Sequence, residues 1–122
     1  NNASGGFVKA LGSYSRGVVV TQVFPSERTI TFPLVREATT LAQDAKIALT
    51  PAMLEGFTNA KVLVEGLRTA GAKPTRAHLR DALENLKKFD VGGLSLSYSP
   101  DDHTGLDFTD LSIIGPDGHF RR

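Results

Sequence analysis

An α/β architecture is predicted by three features of the 122-residue sequence: a β-branched run at residues 17–24, three main amphipathic helices between residues 33 and 88, and an alternating C-terminal hairpin over residues 94–114. The hairpin must lie on a sheet supplied by earlier sequence, and a single central strand is little to supply it. That shortage predicts a fragment of a larger fold. The absence of methionine at Asn1 adds the expectation of an upstream segment.

Each element has its own signal. Residues 4–14 open on Ser-Gly-Gly and place Phe7, Val8, Ala10 and Leu11 at nearly helical spacing, so one short helix is expected, cut short by Gly12. The run GVVVTQVF at 17–24 is bounded by Gly17 and Pro25 and is almost continuously apolar, as in a strand covered on both faces. A polar loop follows to Thr31. Phe32-Pro33 then opens a helix with Leu34, Val35, Ala38, Leu41 and Ala42 on its apolar side.

The best-marked element begins at Thr50, a capping side chain before Pro51, and runs to Ala70, where Gly71 stops it. Leu54, Phe57, Leu63, Val64 and Leu67 are expected on its packed side. A further helix follows Pro74 with Thr75 as its cap, turns Leu79, Ala82, Leu83 and Leu86 inward, and sets Glu84 four residues before Lys88. Gly92-Gly93 is expected to end it. The turn at residues 115–118, Gly-Pro-Asp-Gly, closes the strand region.

Composition narrows the function classes. With 40% apolar and 22% charged residues the chain reads as one globular domain. Fourteen basic against thirteen acidic residues give a net charge of +1, without the basic field that nucleic acid requires. Zero cysteines exclude a disulfide framework and a thiolate metal site. No window approaches the roughly 18 consecutive apolar residues of a membrane helix.

Candidate chemistry is sparse. Ser99-Pro-Asp-Asp-His103 brings two carboxylates and an imidazole together, but adjacent residues on a turn seldom converge on one ion, and local backbone bonding is the expected role. His78 and His119 read as solvated, as do the pairs Lys87-Lys88 and Arg121-Arg122, which lack interleaved aromatics. Hydrolase-elbow, zinc-protease, P-loop and dinucleotide fingerprints are all missing, so no enzyme and no cofactor are predicted.

Six blocks in order carry a resemblance: GVVVTQVFP (17–25), PLVRE (33–37), LEGF (54–57) continuing to AKVLVEGLR (60–68), PTRAHLRDAL (74–83), GGL (92–94) and SPDDHTG (99–105). Together they resemble the type I periplasmic solute-binding proteins of ABC transporters, in the branch similar to leucine/isoleucine/valine-binding proteins. Those proteins are much longer, and the resemblance covers only their C-terminal third. It implies part of a molecule with two Rossmann-like lobes that close over a ligand about a hinge. Residues 1–24 and 95–122 would belong to the C-terminal lobe and hinge strands, and residues 25–94 to the N-terminal lobe. Crossings between lobes would fall at residues 22–25 and near 92–96.

The same resemblance implies noncovalent capture of an amino acid, branched-chain or a related small carboxylate, for an ABC permease. It also implies a periplasmic or other extracytoplasmic location, with a lipid anchor on a missing N-terminus as one form. A receptor domain of this fold and a self-associating small protein are the alternatives. By matching position, Ala52 and its neighbour Met53 are ligand-binding candidates, and Gln22 and Phe24 are hinge candidates. The family's acidic ligand residue would lie just upstream of the loop at residues 1–4, and most of the cleft would be missing. An isolated fragment with open sheet edges is expected to self-associate.

Overall fold

The computed structural model describes residues 5–121. The loop at 1–4, the Ser4 start expected for the first helix, and Arg122 of the terminal basic pair therefore lie outside the described residues. Helix α1 (Gly5–Leu11) runs into a 3-10 turn at Gly12–Ser15, where Gly12 takes a φ of +54°. Then come β1 (Val19–Gln22), α2 (Pro33–Asp44), α3 (Pro51–Ala70) and α4 (Arg76–Glu84). The strands β2 (Phe89–Asp90), β3 (Ser95–Ser99), β4 (Asp102–Leu106), β5 (Asp110–Ile114) and β6 (Phe120–Arg121) complete the order.

Among the described residues the strands form two antiparallel sheets, ordered β1-β5-β6 and β2-β3-β4. Each sheet has its own core. The larger core joins Leu34, Val35 and Ala38 of α2 to Leu54 and Val62 of α3, and to Val91, Leu94 and Leu96 around the β2–β3 turn. In the smaller one Val20 and Ile114 pack with Phe7, Val8, Val18 and Phe120. The chain passes between the two cores after Gln22 and again before Asp110, and these two residues face each other in the β1–β5 register. Phe24 and Phe108, just beyond, both pack on the larger core.

Several sequence expectations change in position. The single C-terminal hairpin resolves into two: β3 and β4 turn tightly through Pro100-Asp101, while β5 pairs with β1 and, through the turn at 115–118, with β6. Residues 95–106 pack with the helices, Gly92-Gly93 forms the β2–β3 turn, and the chain passes back to the smaller core at residues 107–109. Strand β1 stands at one edge of its sheet, so its apolar run alternates, with Val20 and Gln22 buried and Val19 and Thr21 exposed.

Helix starts follow their caps. The Thr50 side chain accepts the Met53 amide at 3.2 Å, and Thr75 accepts that of His78 at 3.1 Å, each satisfying an amide that the first turn leaves unpaired. The packed faces differ from the expected ones. On α3 the buried residues are Leu54, Thr58, Val62 and Gly66, whereas Leu63, Val64 and Leu67 are exposed, as is Leu41 on α2. Gly66 explains the choice: a Cβ there would meet Leu83 Cδ2 at 2.7 Å and Leu79 Cδ1 at 3.0 Å, because α4 lies directly against it. Helix α4 ends at Glu84, and Lys88 takes a φ of +49°, so the expected Glu84–Lys88 helical pair does not form.

The β2–β3 turn is wedged against the first turn of α2. Gly92 has a φ of +123°, its carbonyl accepts the Leu34 amide at 3.0 Å, and a Cβ on it would lie 2.6 Å from that nitrogen. Gly92→Ala is therefore expected to cost on the order of 3 kcal/mol, read as a lower urea midpoint; an unchanged midpoint would contradict this contact. On the other side of the turn, Asp90 Oδ1 accepts the Gly92 and Gly93 amides at 2.8 and 2.6 Å, which holds its carboxyl below the ordinary value of 3.8. A depressed carboxyl stabilises the fold above its unfolded pKa and ceases to do so as pH falls through its folded value. Acid titration of stability should thus be shallower below pH ~4 in Asp90→Asn than in the parent, and identical curves would remove Asp90 from this role.

Candidate functional site

The start of α3 is fixed by local chemistry. Pro51 occupies the first helical position, where a missing N–H costs no hydrogen bond, and the Thr50 cap holds the next amides in place. Ala52 and Met53 are exposed on this turn. Met53 also lines a cavity of about 160 Å³ with Leu49, Ile47 and Phe57, closed by Ala38, Leu41 and Ala42 of α2. Its lining is apolar throughout. Between α2 and α3 the pairing of Lys61 with Glu37 ties the two helices together on the surface.

The hinge candidates have different surroundings. Gln22 is 3% exposed, and its Oε1 accepts a hydrogen bond from Ser112 Oγ at 3.0 Å, so its side-chain carbonyl is tied to β5. Phe24 is half-buried and lines a second cavity, about 280 Å³, on the opposite flank of α3. Glu55 and Asn59, one helical turn apart, face that cavity with Thr104 of β4. Thr58 also borders it, but its hydroxyl donates to the Leu54 carbonyl at 2.8 Å.

The four sequence candidates are thus not gathered into one pocket. Met53 and Phe24 line separate cavities, Ala52 lies at an open helix start, and Gln22 is committed to the β1–β5 pair. Glu55 and Asn59 were missed by the sequence reading. Their signal was a pair of polar residues at four-residue spacing in the first half of a helix whose polar residues include Lys61, Glu65 and Arg68 further on.

The remaining candidates serve the backbone or the surface. At the β3–β4 turn Asp102 Oδ1 accepts the Thr104 amide at 2.9 Å, and bonding from Thr104, side chain first and then backbone, lowers its carboxyl from the usual value. Asp117 likewise accepts the His119 amide at 3.1 Å and pairs with Arg121 at 3.0 Å. His78 and His119 are exposed. Among the described residues, no group of three or more His, Cys, Asp or Glu is placed to hold a metal ion, and no helix is long and apolar enough to cross a membrane.

No family profile matches the chain, and no curated sequence does. Solved structures match it along almost its full length. A substrate-binding periplasmic protein from Ralstonia solanacearum is 33% identical with a TM-score of 0.80, over 95% of this chain and 34% of its own. A possible leucine/isoleucine/valine-binding protein from Rhodopirellula baltica SH 1 is 30% identical with a TM-score of 0.82, over 95% of this chain and 32% of its own. An extracellular ligand-binding receptor from Verminephrobacter eiseniae ef01-2 is 27% identical with a TM-score of 0.79, over 95% and 34%. The chain spans about a third of the length of each. These neighbours are binding proteins rather than enzymes, and the chain has the fold of about one third of a type I periplasmic substrate-binding protein.

Proposed function

We propose that the chain is the C-terminal portion of an extracytoplasmic substrate-binding protein that captures an amino acid, branched-chain or a related small carboxylate, and presents it to an ABC permease. The observation that supports this most is agreement over 95% of the chain, at 33% and 30% identity, with proteins described as periplasmic substrate-binding and as a possible leucine/isoleucine/valine-binding protein. In this reading the chain contributes one wall of a cleft. The open start of α3 would face the ligand, with Ala52 leaving room for its side chain and Met53 adding an adaptable apolar surface. Gln22 and Phe24 would lie at the hinge, where the two passages between the cores run side by side.

Residues 5–24 and 107–121 would then belong to one lobe and its connections, and the helices with β2–β4 to the other. A lipid anchor upstream of Asn1 would hold such a protein at the membrane. A sensing role is the second reading, favoured by the likeness to a protein described as an extracellular ligand-binding receptor.

Titration of the protein, expressed from its natural start codon, with leucine, isoleucine, valine and small carboxylates is expected to give saturable binding of at least one. Ala52→Trp should weaken that binding roughly ten- to a hundredfold, the equivalent of about 1–3 kcal/mol of overpacking. No binding of any of these ligands, or an unaffected Ala52→Trp variant, would overturn the reading or its site respectively. The 122-residue chain alone is expected to self-associate. Val19 pairs in register with Ile113 and Thr21 with Leu111, and the three apolar members of that face are exposed beside the edge of β1, which no other strand among the described residues covers. Light scattering should give a mass above 13.1 kDa, and a stable monomer would refute self-association.

A further inference from the structure

A cavity of about 420 Å³ lies between α3, α4 and the β3–β4 hairpin, away from the exposed start of α3. Its walls are Val62, Leu79, Leu83 and Tyr98. Two glycines set their places. Gly66 lets α4 approach α3 so closely that Leu79 and Leu83 are held against the helix, as described above. Gly105, at a φ of +80°, lies under the Tyr98 ring, and a Cβ there would be 2.7 Å from Tyr98 Cε1. The apolar walls are therefore built by close packing on both sides.

The mouth carries positive charge from Arg76 and Arg80, which border it with the His103 imidazole and one carboxylate, Glu84. Glu84 is already shared, with its Oε1 3.9 Å from Arg80 Nε and 3.5 Å from His103 Nε2. Arg76 stands at the first position of α4, and among the described residues it has no acidic partner. An apolar chamber of this size falls in the range of small-molecule sites, and an unpaired guanidinium at its edge complements an anion that can accept two parallel hydrogen bonds.

We propose that this cavity binds a small amphipathic carboxylate, with its apolar chain against Leu79, Leu83 and Tyr98 and its carboxylate on Arg76. The site is separate from the proposed amino-acid cleft and does not depend on it. Its ligand is a free monocarboxylate of medium length: Glu84 at the rim opposes a second negative charge, and apart from the Tyr98 hydroxyl the walls offer only hydrocarbon.

The experiment uses octanoate and its neutral counterpart 1-octanol, titrated into the isotope-labelled protein and followed by backbone amide shifts. Octanoate should perturb the amides of α4 and residues 97–105 and bind more tightly than 1-octanol. Arg76→Glu lies on an exposed helix start and should fold normally; it is expected to weaken octanoate about tenfold and leave 1-octanol unchanged. Leu79→Gln, with folding checked by thermal melting, should weaken both. Equal affinity of octanoate for the parent and Arg76→Glu, shifts confined to the Leu49–Phe57 region, or no shift at millimolar ligand would each overturn the proposal.

Discussion

The contact between Gly92 and Leu34 is the constraint on which the larger half of the structure rests. Leu34 is fully buried, and its amide is one of the group that a helix start leaves without an internal partner. The Gly92 carbonyl supplies that partner, and the lack of a side chain at 92 lets a turn and a helix meet backbone to backbone. Pro33 Cδ would sit 3.1 Å from a Cβ on Gly93, and Phe32 packs edge-on against Phe108 with ring centroids 6.1 Å apart. Sheet, helix start and the returning chain thus converge on one point. The orientation of α2, and through it the seating of α3, follows from that junction.

Features decided by neighbouring residues were legible in the sequence. Thr50 before Pro51, Thr75 after Pro74 and Gly71 after Ala70 act through bonds a few residues away, and α3 begins and ends, and α4 begins, where these residues predict. The packed face of α3 was not legible. Leu63, Val64 and Leu67 are the more apolar residues, yet Thr58 and Gly66 are buried, because the decision belongs to the α4 leucines that fill the space over Gly66. Strand β4 was hidden for another reason: Asp102, His103 and Thr104 are exposed polar residues with no alternation to detect. Its pairing with β3 is made by backbone groups that every residue carries.

The candidate site divides along the same line. Local reading placed Ala52 and Met53 at a helix start, which is where they are. Bringing Phe24 to Glu55 and Asn59 required the tertiary path of the chain after β1, and no periodicity encodes it. Gln22 illustrates the limit from the other direction. A buried amide in an apolar strand needs a partner, and that partner, Ser112, is 90 residues away in sequence.

The presence of two cores, joined among the described residues by two adjacent stretches of backbone, bears on cooperativity. The smaller one draws on α1 and the β1-β5-β6 sheet, whereas the larger one draws on three helices and the other sheet. Units so unequal in buried apolar surface open at different free energies, and amide exchange would sort them into a weakly and a strongly protected class. A single melting temperature then describes neither unit, and loss of the smaller sheet can precede loss of the helices without passing through the unfolded chain.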